Sequence, residues 1–163
     1  MLYSEADIIN INESHLQGED EIFIDQYKWF GNNRLTRHVR APTASGGVGM
    51  LVNQDLIKEY QVEIIDKYEG ILGLKFTHKI SEFEFVVFSC YLPPENSPWG
   101  RDATSFFNHL LQQMYLNCNV DALFLVGDFN ARVGNLKDFE CNFQCLENRM
   151  NNVDQVINNH GRE

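Results

Sequence analysis

No run of apolar residues in this chain approaches the ~20 that a helical membrane span needs, which excludes large-scale membrane insertion. Positive charge is scarce. Lys and Arg number 13 against 23 Asp and Glu, for a net charge of −10. Such a chain does not bind polyanions over its whole surface, so contact with nucleic acid or phosphate requires a local basic patch or a metal ion. Cysteine is sparse too: of Cys90, Cys118, Cys141 and Cys145 only the last two are close, and no second pair completes a zinc site. The four read as reduced, mostly packed thiols. The opening Met1-Leu2-Tyr3-Ser4-Glu5 lacks the basic and apolar regions of a signal peptide. An intracellular location, cytoplasm or nucleus, is therefore expected. Internal repeats and low-complexity tracts are absent as well.

What is present is the balance of a folded protein. With 163 residues, 44% hydrophobic and 22% charged, the chain reads as one domain over 1–163. Its 12 Phe support a sizeable core. Short apolar runs predict strands over 6–11, 48–52, 71–76 and 122–126. The strongest strand is 82–91. There Phe83, Phe85 and Val87 face one way and Val86 and Phe88 the other, which implies cover on both faces. Pro93, Pro94 and Pro98 end that strand in a loop, since proline cannot donate to a sheet. Phe106, Phe107, Leu110, Leu111 and Met114 recur at helical spacing, with Asp102 as N-cap and an end near Asn117. Val153, Val156 and Ile157 suggest a further helix. Helices are too few to cover both faces of one sheet. The expected architecture is therefore a two-sheet α/β sandwich with outer helices.

Polar residues follow the apolar strands directly. Glu13 follows the first, Tyr91 ends the central one, and Asp128 and Asn130 follow the last. Strand ends are where α/β sheets gather ligand groups, so these positions could converge. In extended chain Asp128 and Asn130 share one face while Phe129 points back to the core. A carboxylate there could orient or deprotonate water, and an amide could donate to a phosphate oxygen. An equally good reading is a turn in which both side chains bond the local backbone. Glu13 alone reads more readily as a solvated strand end, although one carboxylate is a donor set that suits Mg²⁺. Tyr91 alone reads as a half-buried strand tyrosine with a satisfied hydroxyl.

Four stretches, taken in order, resemble the endonuclease/exonuclease/phosphatase superfamily: Asp7-Ile8-Ile9-Asn10-Ile11-Asn12-Glu13-Ser14-His15, Ser45-Gly46-Gly47-Val48-Gly49, Ser89-Cys90-Tyr91-Leu92-Pro93-Pro94 and Gly127-Asp128-Phe129-Asn130-Ala131-Arg132. Within it the chain is most similar to the endonuclease domain of LINE-type (non-LTR) retrotransposons, which is similar to apurinic/apyrimidinic endonuclease. The resemblance implies a deoxyribonuclease-like sandwich and metal-assisted phosphodiester hydrolysis that nicks one DNA strand, with Mg²⁺ (or Mn²⁺) as cofactor and DNA as partner. It implies neither a membrane nor an obligate protein partner. Glu13 would be the metal ligand, Tyr91 would contact the scissile phosphate, Asp128 would orient or activate the attacking water, and Asn130 would bind the phosphate.

The family pattern also carries an earlier strand with a supporting Asn and later strands with a Ser-Asp-His motif. Neither is found here, so the sandwich is expected to be incomplete, lacking its first and C-terminal strands. None of His15, His38, His78, His109 and His160 follows an Asp, so none takes the missing role. His15 reads as a local site-shaping residue and His160 as a solvated loop residue. Little or no nuclease activity and marginal solubility are therefore expected of the chain. The only dense positive stretch, with Arg34, Arg37 and Arg40, is either a nucleic-acid-facing loop or an ordinary solvated one. Two alternatives stand beside the nuclease: a phosphomonoesterase or phospholipid head-group phosphatase of the same fold, and a non-catalytic interaction remnant.

Overall fold

The computed structural model describes residues 6–34, 46–95, 97, 103–132 and 157–162. Seven strands and two helices follow one another as β1 (Ile8–Asn12), β2 (Tyr27–Asn32), β3 (Val48–Asn53), α1 (Gln54–Glu59), β4 (Tyr60–Tyr68), β5 (Ile71–His78), β6 (Glu84–Tyr91), α2 (Ala103–Leu116) and β7 (Ala122–Asp128). They form a three-stranded sheet of order β1-β3-β2 and a four-stranded sheet of order β4-β5-β6-β7. Every pairing is antiparallel except β6 with β7, which is parallel because α2 carries the chain back between them.

The layers follow from which residues each strand turns inward. Val48, Met50 and Val52 of β3 meet Leu72, Leu74 and Phe76 of β5 and Val87 and Tyr91 of β6 between the sheets. On the far face of the larger sheet, Val86, Phe88 and Cys90 pack against Phe106 and Leu110 of α2. The central strand is thus covered on both faces, as its alternation predicts, although Phe83 just before it is 42% exposed. On the far face of the smaller sheet, Tyr27, Trp29 and Leu51 are covered by Leu16 and Ile22. Full burial of one such side chain contributes about 1.5–3 kcal/mol, so β5 and β6, where most of the fully buried residues lie, dominate the stability.

The expected sandwich is therefore present, with several local differences. The first strand begins at Ile8 rather than at residue 6, and the central one at Glu84 rather than at 82. Strands β2 and β4 and helix α1 have no counterpart in the sequence reading. Helix α1 begins where the Asn53 side chain accepts from the Asp55 amide at 2.9 Å. The expected cap Asp102 lies outside the described residues. Residues 157–162 form a turn and not the expected helix. The Asn158 carbonyl oxygen of the side chain takes the Gly161 amide at 3.0 Å, a local bond that competes with helix formation. Val153 and Val156 lie outside the described residues.

His160 is 4% exposed and not a solvated loop residue. Its neighbours Asn158 and Asn159 bond to Arg132 and Glu95, which draws this turn onto the domain. Cys90 is buried, as expected of a packed thiol, but Cys118 is exposed in the turn beyond α2, and Cys141 and Cys145 lie outside the described residues. Among the described residues no helix is long and apolar enough to cross a membrane.

Candidate active site

Three strand ends meet at one end of the sandwich. Tyr91 closes β6 and pairs in register with Asp128, which closes β7. Gly127 makes that pairing possible. It adopts φ +137°, and a Cβ there would stand 1.9 Å from the Cys90 carbonyl oxygen. The β6–β7 seam continues beyond the strands, with the Leu92 amide donating to the Asp128 carbonyl at 2.9 Å.

Asp128 and Asn130 project from this seam because Phe129 turns the other way. Its ring stacks on Phe107 with centroids 5.9 Å apart and meets Phe106 edge-on at 6.3 Å. That anchoring under α2 matches the inward orientation read from the sequence. The Asn130 amide donates to Asp128 Oδ1 at 2.8 Å, so the local-backbone turn is also realised. Asn130 Nδ2 donates to the Leu92 carbonyl at 2.9 Å and lies 3.4 Å from Asp128 Oδ2. Asn130 has φ +47°, a left-handed conformation that asparagine tolerates better than most residues.

Glu13 arrives from the smaller sheet. Beyond β1 the chain bends through a left-handed Glu13 (φ +53°) and His15 (φ +56°), conformations that cost on the order of 1–2 kcal/mol each outside glycine. The bend is held by the Ser14 amide on the Gly47 carbonyl at 3.2 Å and the His15 amide on the Gly46 carbonyl at 3.0 Å. At Gly47 (φ +86°) a Cβ would stand 2.6 Å from Ser14 Oγ, in a backbone conformation that favours glycine. The result directs Glu13 across the sandwich to Tyr91, whose hydroxyl donates to Glu13 Oε1.

The electrostatics of Tyr91 tie the group together. Its phenol is held well above its ordinary acidity range, first by burial and then by the bond to Glu13, the charge of Glu13 and the charge of Asp128, partly offset by Arg34. Tyr91 is therefore a protonated donor at neutral pH, with two carboxylates and one guanidinium around it. Arg34 is only 15% exposed at its side chain and pairs with Glu69 at 3.5 Å. Of the positive stretch, only Arg34 is described at this end of the molecule; Arg37 and Arg40 lie outside the described residues.

The structure thus brings Glu13, Tyr91, Asp128, Asn130 and Arg34 to one end. It also shows residues that pattern alone did not reveal. Asn32, at the end of β2, donates to the carbonyls of Tyr68 at 2.5 Å and Ile71 at 2.7 Å, which fastens the smaller sheet to the β4–β5 turn. Its only sequence signal is a polar residue closing a short stretch in which Tyr27 and Trp29 alternate with Lys28. Among the described residues no three His, Cys, Asp or Glu side chains group closely enough to enclose a metal. Mg²⁺ does not require such a cage. It commonly takes one or two carboxylates and keeps several waters. The hard oxygens of Glu13 and Asp128, both close enough to act on Tyr91, fit that requirement.

No protein-family model and no curated protein matches the chain in sequence. Solved structures do match in fold. The AP endonuclease LMAP from Leishmania major aligns with a TM-score of 0.61 at 10% identity, over 80% of this chain and 47% of that one. Human Nocturnin, in the structure of its catalytic domain, aligns at 0.48 and 15% identity over 77% of this chain and 52% of that one. TDP2 from Caenorhabditis elegans aligns at 0.45 and 17% identity over 77% and 38%. The first of these shows the fold, a deoxyribonuclease-like α/β sandwich, and the chain spans about half the length of that structure.

Proposed function

We propose that this domain is of the divalent-metal-dependent phosphodiesterase kind, a DNA-nicking endonuclease of retrotransposon type. The observation that carries the reading is the position of Tyr91, a protonated donor flanked by Glu13, Asp128 and Arg34 at the meeting of three strand ends. Glu13, with Asp128 beside it, would hold Mg²⁺ or Mn²⁺. The ion would offset negative charge developing on the phosphoryl oxygens.

The chain's own residues supply the rest. Tyr91 donates its hydroxyl to a phosphate oxygen, a role open to it because its proton is firmly held. Asp128 orients the attacking water through Oδ2, where Asn130 Nδ2 donates at the longer distance of 3.4 Å, rather than through Oδ1, which takes the Asn130 backbone amide at 2.8 Å. Asn130 presents its amide beside that carboxylate. Arg34 adds positive charge in an otherwise acidic chain and contacts the nucleic-acid backbone. Arg37 and Arg40 belong to the same proposal on sequence grounds. Catalysis by this chain alone is expected to be slight, because no histidine follows an aspartate.

The test is therefore ion binding first. Mn²⁺ titrated into ¹⁵N-labelled protein is expected to broaden the amide signals of Glu13, Tyr91, Asp128 and Asn130 before all others. Broadening that begins elsewhere, or that survives Glu13→Gln unchanged, would overturn the assignment. Mg²⁺-dependent nicking of supercoiled plasmid is expected near background. Robust nicking would show that Glu13, Tyr91, Asp128 and Asn130 suffice without an Asp-His pair.

A further inference from the structure

The turn at 157–162 lies against the exit of β7, and its hydrogen bonds are concentrated on one side chain. Asn158 Nδ2 donates to the Asn130 carbonyl at 2.7 Å. Asn158 Oδ1 accepts from the Arg132 amide at 2.8 Å and from the Gly161 amide at 3.0 Å. The Asn158 backbone amide donates to the Arg132 carbonyl at 3.1 Å. One asparagine thus occupies both sides of the backbone over 130–132. Next to it, the Asn159 backbone amide donates to Glu95 Oε2 at 3.3 Å and the Asn159 side chain to Glu95 Oε1, which ties the same turn to the loop leaving β6.

We propose that Asn158 is a positioning residue for the Asp128–Asn130 couple. Asn130 holds a left-handed backbone at φ +47°, so its carbonyl must be kept in place if its side chain is to stay on Leu92 and beside Asp128. The Asn158 amide holds that carbonyl. The carbonyl oxygen of the same side chain fixes the next amide but one. Neither bond touches the side chains of Asp128 and Asn130, so the clamp orders the couple through its backbone. The functional part of this inference rests on the phosphodiesterase reading; the clamp itself does not.

The geometry separates the two halves of the Asn158 side chain. Asn158→Ala removes donor and acceptor, whereas Asn158→Asp keeps the acceptor for Arg132 and loses the donor to Asn130. In Asn158→Ala the Arg132 amide is expected to lose about tenfold or more of its hydrogen-exchange protection. The Asn130 side-chain amide pair is expected to move toward the position of an exposed asparagine. In Asn158→Asp the Arg132 protection persists while the Asn130 pair still moves. With Mn²⁺ present, broadening at Asn130 and Asp128 is expected to weaken in both variants while broadening at Glu13 persists, a split that general destabilisation would not produce. Asn117→Ala, at the end of α2, serves as a control that leaves the Asn130 signals unmoved. Asn130 signals unchanged in both Asn158 variants would overturn the clamp. Shifts of the Asn130 pair in a protein that Mn²⁺ does not broaden would uphold the clamp and overturn the metal reading instead.

Discussion

The exits of β1 and β7 solve the same problem in different ways. Each must turn a carboxylate out of a strand toward Tyr91, and each uses a non-glycine residue in a left-handed conformation, Glu13 at φ +53° and Asn130 at φ +47°. At β7 the strained residue is an asparagine whose own side chain relieves the strain by bonding Leu92 and lying beside Asp128. At β1 the strained residue is the carboxylate-bearing one, and its side chain bonds Tyr91 across the sandwich. The first exit is locally self-supporting. The second is held by the glycine turn opposite it and by the tertiary partner.

The largest effect is expected at the seam beneath the β7 exit. Gly127→Ala sets a Cβ against the Cys90 carbonyl, at a φ of +137° that L-residues avoid. A loss of about 3 kcal/mol or more in urea unfolding is expected. A loss within about 1 kcal/mol would show that the seam adjusts freely and that the β7 exit is not self-supporting. Next in size is the ion. Glu13→Gln and Asp128→Asn are each expected to weaken Mn²⁺ binding about tenfold or more, measured by titration of the broadened signals. If one of them is without effect, the two exits do not share a ligand.

Glycine substitution sharpens the contrast. Glu13→Gly removes the left-handed penalty and the bond from Tyr91 together, so stability is expected to stay within about 0.5 kcal/mol while the Mn²⁺ response is abolished. Asn130→Gly removes the same kind of penalty together with the side-chain bonds, and is expected to lower stability by about 1 kcal/mol. Equal effects of the two in urea unfolding would erase the distinction drawn between the exits.

The smallest expected effect lies at Cys90, the residue before Tyr91. Burial, with the Asp66 charge as the second cause, pushes its thiol from 9.0 up to about 12. The folded state thus retains a proton that the unfolded state releases. The associated stability is fully present below pH 9.0 and is lost as pH rises through about 12. Alkylation followed by peptide mapping at pH 9 is expected to label Cys118 and spare Cys90; labelling of both in folded protein would mean that the seam opens.

Much of the sandwich was legible in residue order. The alternation over 82–91 identified the strand covered on both faces, and it is the strand flanked by the inter-sheet core and by α2. The site was legible only as three separate strand ends. His160 shows where reading by pattern fails. Its surroundings in sequence are polar, so it reads as solvated, yet Asn158 and Asn159 fasten it down by bonds to residues 26 and 64 positions earlier. Arg34 belongs to the same class, because nothing in its dense basic stretch marks it out as a residue whose charge acts on Tyr91.

The chain by itself determined five of its seven described strands, its longer helix and the residue types available to chemistry, because hydrophobic periodicity and turn propensity act over a few neighbouring residues. Only the tertiary structure decided that Glu13 and Asp128, more than a hundred residues apart, act on one tyrosine, and that Asn158 secures the turn between Asp128 and Arg132. Such meetings are set by sheet order and by the packing of two sheets, which are sums of many weak contacts that no local stretch encodes.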